Sequence, residues 1–194
     1  MAADKPVATS SRPVEPAVIL TPKPPRTPRI NGPRIFGVRP GSPLLFTIPA
    51  TGDRPMEFAA EGLPAGRRGD TATGQIAGVT ELRGEHVVTL QARNALGRAK
   101  GKFRIVVGDT LALTPHLGWN SWYCWEHRVT DQIMRDAADA MVSTGLINHG
   151  YSYVNIDDCW SVKPDAKDAS YGGEPRDGRG RINSNRRFPD MKAL

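Results

Sequence analysis

Cysteine is scarce in this chain, with Cys124 and Cys159 alone among 194 residues. Two cysteines cannot build a disulfide framework, and their spacing suits no zinc site. One disulfide and two free thiols both stay open. Long apolar runs are missing as well: no stretch approaches the ~20 residues that a bilayer-crossing helix needs, so no membrane role is expected. The first thirty residues hold no apolar core of a secretory leader, so either the chain stays inside or a leader lies outside these residues. A clustered basic face is also lacking. Residues 1–35 carry six Lys/Arg against two Asp/Glu, residues 36–108 ten against six, and residues 109–194 ten against twelve, which together make the net charge of +6. An excess that is diffuse, and absent from the last segment, does not fit a nucleic-acid partner.

Proline is abundant, but unevenly so: nine of the seventeen prolines fall in residues 1–40. Residues 1–33 therefore read as a disordered, proline-rich tail or linker with little apolar surface to bury. From Arg34 to Val107 the pattern changes to short alternating runs between turn residues. Val88, Leu90 and Ala92 alternate with polar neighbours, as do Phe103, Ile105 and Val107, which predicts half-buried strands. Asn94 to Gly97 supplies the turn of a hairpin between them. Several such runs in about 75 residues predict a small antiparallel β-sandwich over residues 34–108.

After Gly108 the period changes again. Thr130 is placed to cap a helix over DQIMRDAADAMVST, with Ile133, Ala137, Ala140, Met141 and Thr144 on one face. Asp131 in its first turn suits the helix dipole and Gly145 suits its end. With LGWNSW before it and YSYVNID after it, the segment reads as a βαβ unit with parallel strands. Such strands present their C-terminal ends on one face, so Trp122, ending the first, and Asp157 and Asp158, ending the second, are expected as neighbours. A lone pair of aspartates is most often a turn or helix cap. Beside Trp119, Trp122, Trp125 and Trp160 it suits a sugar, whose C–H face stacks on indole while its hydroxyls donate to carboxylates. Adjacent side chains on extended backbone point to opposite faces, so Asp157 and Asp158 are placed to bind hydroxyls rather than to flank a scissile bond. The stretch from Ser161 to Arg187 shows no periodicity and reads as a long loop. Its acids, Asp165, Asp168, Glu174 and Asp177, lack calcium-loop spacing, so neither a metal nor a cofactor is expected.

Two resemblances are carried by these motifs. EGLPAGRRGDTATGQIAGVTELRGEHVVTLQARNALG resembles the immunoglobulin-like modules of bacterial surface and secreted proteins. It departs from them at Arg67, Arg68 and Gly69, where that pattern places apolar residues before the aspartate, and local packing is expected to suffer there. TPHLGWNSW, DAADAMVSTGLINHGYSYVNIDDCW and DGRGRINSNRRFPDMKAL, in that order, are similar to the opening of the catalytic domain of glycoside hydrolase family 27, the melibiase-type α-galactosidases, over residues 114–194.

Together the two resemblances imply a multidomain chain, an immunoglobulin-like β-sandwich followed by the first part of an α/β TIM (β/α)8 barrel. The second goes further. It implies a retaining α-galactosidase that hydrolyses terminal α-galactosides of oligosaccharides or polysaccharides by double displacement, with Trp122, Asp157 and Asp158 lining the galactose pocket. The family's nucleophile and acid/base are aspartates of later strands that these 194 residues do not contain, so the chain alone is expected to be inactive. Cys159 matches a family cysteine whose partner position is His127 here; Cys124 lies three residues earlier, which leaves a Cys124–Cys159 disulfide open. An extracellular or periplasmic location is expected from the family. The rival reading is a carbohydrate- or protein-binding adhesion module with a relic barrel segment.

Overall fold

The computed structural model describes residues 23–194. Most of the expected tail therefore lies outside the described residues. Its last part does not: Arg29–Ile30 forms a short strand (β1) antiparallel to Ala50–Thr51 (β4), and Arg26 pairs with Asp53 at 2.7 Å. The chain is thus held to the strands that follow earlier than the proline content suggests.

Ile35–Val38 (β2), Leu44–Thr47 (β3), Glu57–Glu61 (β5), Arg67–Gly69 (β6), Gln75–Gly78 (β7), Gly84–Asn94 (β8) and Gly97–Val107 (β9) build two sheets, in the orders β2-β9-β8-β5 and β3-β7-β6. The predicted hairpin is the longest ladder, running from Gly84↔Val107 to Asn94↔Gly97. Its alternation decides which side faces inward: Val88, Leu90, Ala92, Phe103, Ile105 and Val107 are all buried. They meet Leu44, Phe46 and Ile76 of the other sheet in one core, with the Phe46 and Phe103 rings stacked at 4.4 Å. The expected all-antiparallel pattern needs one correction, since β2 runs parallel to β9.

The DTATG stretch shows why its residue types recur in turns. Asp70 Oδ1 accepts from the backbone N–H groups of Ala72 and Thr73, at 2.9 and 2.7 Å, and from the Thr73 hydroxyl, an Asx-type turn that replaces missing ladder bonds. Gly74 then takes φ +75°, and a Cβ there would meet the Phe58 ring at 2.9 Å. Just before this turn, β6 forms against β7 despite its arginines. Arg67 is buried; its Nη1 donates to Gly78 O at 3.2 Å, while Nε and Nη2 have no partner. Polar atoms so placed carry an uncompensated desolvation cost, and burial also lowers the arginine's pKa.

The second region begins with Gly118–Asn120 (β10) and ends its βαβ unit with Tyr153–Asn155 (β11), which pair in parallel from Gly118↔Tyr153 to Asn120↔Asn155. Between them lie a one-turn helix, Trp122–Trp125 (α1), and Asp131–Ser143 (α2). Thr130 caps α2 as expected, its hydroxyl accepting from Ile133 N–H, and Gly145 follows with φ +79°. The expected face of α2 is met in part: Met141 is buried and Ile133 and Ala137 are half-buried, but Ala140 and Thr144 are exposed, and Met134, which the spacing left out, is buried. The core beneath comprises Val129, Met134, Cys159, Tyr171 and Phe188, with Trp119 and Trp160 packed against it.

The stretch from Ser161 to Arg187 is not a structureless loop. It closes on itself through bridges Ser161↔Ser184 and Arg176↔Ile182 and contains a 3-10 turn at Ala169–Tyr171. Arg187 fixes it by donating to Asp168 Oδ2 at 2.6 Å, to Ser170 Oγ at 2.7 Å and to the His127 carbonyl. These are contacts between residues far apart in sequence, which no local period announces.

The two regions touch at the N-terminal end of β11. Asn31 Nδ2 donates to Asn148 O at 2.9 Å, and Arg54 Nη2 to Asn148 Oδ1 at 2.8 Å. Gly32 and Gly150 approach so closely that a Cβ on Gly150 would lie 2.8 Å from the Gly32 Cα.

Candidate functional site

Parallel strands leave their C-terminal carbonyls and the turns after them on one side of the sheet. Asn120 ends β10, Asn155 ends β11 opposite it, and Asp157 and Asp158 follow two and three residues later. The strand–aspartate order is therefore as the sequence reading expected. Trp122 is not the last residue of its strand, however. Asn120 Oδ1 accepts from Trp122 N–H at 2.9 Å, which turns the chain out of the strand and makes Trp122 the first residue of α1.

That same asparagine joins two of the three expected residues, Trp122 and Asp157. Its Nδ2 donates to Asp157 Oδ2 at 3.0 Å, so one side chain holds the backbone of Trp122 and the carboxylate of Asp157. Ser121 beside it is fully buried, and its hydroxyl accepts from Asp157 N–H at 3.0 Å. Asp157 Oδ1 accepts from Asp158 N–H at 2.8 Å, and Asp158 Oδ1 from Cys159 N–H at 2.6 Å. Both carboxylates remain exposed to solvent. The Cys159 amide, and then the Lys163 ammonium 3.0 Å from Asp158 Oδ2, hold the Asp158 carboxyl below the usual carboxylate range. Asp158 is thus an ionised acceptor near neutrality, the state that a hydroxyl donor needs.

The chain leaves the site through an unusual turn. Cys159 has φ +73°, a conformation that costs a non-glycine residue roughly 1–2 kcal/mol. Asn185, itself buried, offsets this by donating to Cys159 O at 2.8 Å and to Ser161 O at 3.1 Å. The disulfide left open by the sequence does not form: Cys124 is an exposed free thiol on α1, and Cys159 is a buried free thiol in the second core. The tryptophans also divide. Trp119 and Trp160 pack inward, whereas Trp122 and Trp125 expose 38 % of their surface. The latter two are the more exposed, and the Arg128 guanidinium lies over the Trp125 ring, 5.7 Å from its centroid.

Asn120, Ser121, Lys163 and Asn185 escaped the sequence reading. The first two lie inside GWNSW, and the position of Asn120 at a parallel strand end was a usable signal. Lys163 and Asn185 sit where no period exists, and their roles come from chain closure.

Residues 114–191 match the family model Melibiase_2, described as alpha galactosidase A. An alpha-galactosidase of Oryza sativa subsp. japonica is 42 % identical over 108 residues, which is 55 % of this chain and 23 % of that protein. Two crystal structures from Bacteroides fragilis NCTC 9343, each assigned as an alpha-galactosidase, are similar to both regions: one covers 89 % of this chain at 40 % identity with a TM-score of 0.75, the other 82 % at 39 % identity with a TM-score of 0.71. The chain spans less than a quarter of the rice protein and 34 % and 32 % of the two solved chains.

Proposed function

We propose that residues 114–191, which match the alpha galactosidase A (Melibiase_2) family model, are the sugar-recognising opening of a (β/α)8 glycosidase barrel. In this reading Trp122 stacks on the apolar face of a terminal α-galactose, and Asp157 and Asp158 accept hydrogen bonds from its ring hydroxyls. Hydrolysis proceeds with retention, through a covalent glycosyl intermediate formed on an aspartate of a later strand. The 194 residues by themselves bind and do not cleave. The strands before the site form an immunoglobulin-like sandwich that accompanies the barrel, and the similarity of both regions to the Bacteroides fragilis structures favours this over a free-standing adhesion module.

The observation that supports the proposal is the Asn120 bridge, which ties the backbone of Trp122, whose side chain is exposed, and the carboxylate of Asp157 to one side chain at the C-terminal end of two parallel strands. Carboxylates there are worth most as charge-assisted acceptors, each contributing on the order of 1.5–3 kcal/mol. Replacing Asp157 or Asp158 by Asn should therefore weaken galactose binding by the chain roughly 10- to 150-fold. Titration calorimetry with galactose, and with glucose as its C4 epimer, checks this. Equal binding of the two sugars, or unchanged affinity in both variants, would refute the reading. Turnover of an aryl α-galactoside by the purified chain would show that a nucleophile has been overlooked.

A further inference from the structure

Each of the paired aspartates is held at two points, and the pattern is the same for both. Asp157 receives the next residue's N–H on Oδ1 and the Asn120 amide on Oδ2. Asp158 receives the next residue's N–H on Oδ1 and the Lys163 ammonium on Oδ2, at 3.0 Å. The second holder comes from a different element in each case, so neither carboxylate is free to rotate about its last bond. An exposed ion pair is usually weak, because ordering two long side chains offsets the attraction. Here the fold fixes the backbone from which the Lys163 side chain extends. Lys163 N–H donates to Tyr171 O at 3.0 Å, its carbonyl accepts from Ala166 N–H at 3.1 Å, and the preceding Val162 N–H donates to Asn183 O at 3.1 Å. Its ammonium also lies 3.6 Å from Cys159 Sγ. Tyr171, which sets the Lys163 backbone, is buried in the second core.

We infer that Lys163 is a positioning residue, whose ammonium fixes the orientation in which Asp158 receives a sugar hydroxyl; this rests on the galactose-binding reading of the aspartates. A carboxylate offers about four lone-pair sites. Cys159 and Lys163 take one on each oxygen, which leaves one on each for hydroxyl donors. Removing Lys163 keeps the acceptor but lets it swing, so that binding must order it again.

The groups facing Asp158 are Asp157 on its own segment, Cys159 after it and Lys163 from the following turn, with Tyr171 beside the last two. The test uses the whole chain, following the Asp158 side-chain carboxyl by carbon NMR through a pH titration and galactose affinity by calorimetry. In Lys163→Met the Asp158 midpoint should rise toward the ordinary value of about 3.9, and affinity should fall about tenfold, the effect of one charge-assisted contact. Lys163→Arg should restore both, and Lys163→Met added to Asp158→Asn should cost nothing more. Lys163→Gln replaces the Met variant if the latter does not fold. An unchanged midpoint, or an undiminished loss in the Asp158→Asn background, overturns the inference. If the midpoint moves while neither Asp158→Asn nor Lys163→Met alters galactose binding, the contact is real but the sugar-binding role is wrong, and the inference falls with that reading.

Discussion

The sandwich and the βαβ region use different means of staying folded. In the sandwich, ladders such as that of β8 with β9 satisfy the backbone, and alternation alone sends aromatic and branched side chains into a single core. In the second region the parallel ladder joins three residues of each strand, and side chains from distant loops complete the work: Asn185 on Cys159 O, Arg187 on Asp168 and His127 O, Asn120 on Asp157. Backbone ladders tolerate many side chains. Side-chain ties specify one geometry, which is what a binding site requires. All four tryptophans fall in the second region, so indole fluorescence reports on it alone, while nearly all strand residues, and so nearly all of the strand contribution to far-ultraviolet circular dichroism, lie in the first.

The largest effect should come from breaking the sandwich core. Phe103 is fully buried and stacked on Phe46 across the two sheets, so Phe103→Ala should cost about 3–5 kcal/mol. Urea unfolding followed by dichroism should shift by that amount. A shift of equal size in the fluorescence transition would mean that the Asn148 contacts and the Gly32–Gly150 approach couple the regions into one cooperative unit. Independent transitions would mean that they only touch.

How far the sequence reveals this contrast follows from the same distinction. Strands β8 and β9, their turn and the Thr130 cap were legible because each is written in a local period or a cap residue. The placement of Asp157 and Asp158 was legible because parallel strand ends carry it. Asn185 and Lys163 were not, since a tie between loops leaves no period, and on α2 spacing alone found Met141 but included the exposed Ala140 and Thr144 and left out the buried Met134. Arg67 is the reverse case: it is buried with Nε and Nη2 unpartnered, yet β6 still forms its ladder to β7, to which its own Nη1 adds a bond at Gly78 O.

Arg67 offers a smaller test, within the sandwich. It is a buried charge with two unpartnered nitrogens, and replacing such a group by a packed apolar side chain is often neutral or stabilising by about 1–4 kcal/mol. Arg67→Leu should raise the dichroism midpoint and leave the tryptophan fluorescence of the folded chain unchanged. A loss of stability would show that the guanidinium's bond to Gly78 O outweighs its burial.

The smallest effect, and the one that separates the regions most directly, is their response to acid. In the second region Asp158 is held below its ordinary range by the Cys159 amide and Lys163, Asp168 by the Ser170 hydroxyl and amide with Arg187, and Asp177 by the Arg181 and Arg179 amides and the Arg181 side chain. A group whose pKa is lower folded than unfolded contributes stability above the unfolded value of about 4, and that contribution fades as pH falls through the folded value. The sandwich has depressed aspartates too, Asp70 in its turn and Asp109 beside Arg83, but its core and ladders do not pass through them. In the second region the aspartates are themselves the ties: protonating Asp168 releases Arg187, and with it a bond to His127 O. Lowering the pH from 6 to below about 4 should therefore change the tryptophan fluorescence before the strand dichroism, and salt should mimic part of the change by screening the exposed pairs. Coincident acid transitions in both signals would show that the core of the second region, Val129, Met134, Tyr171 and Phe188, holds it without these ties.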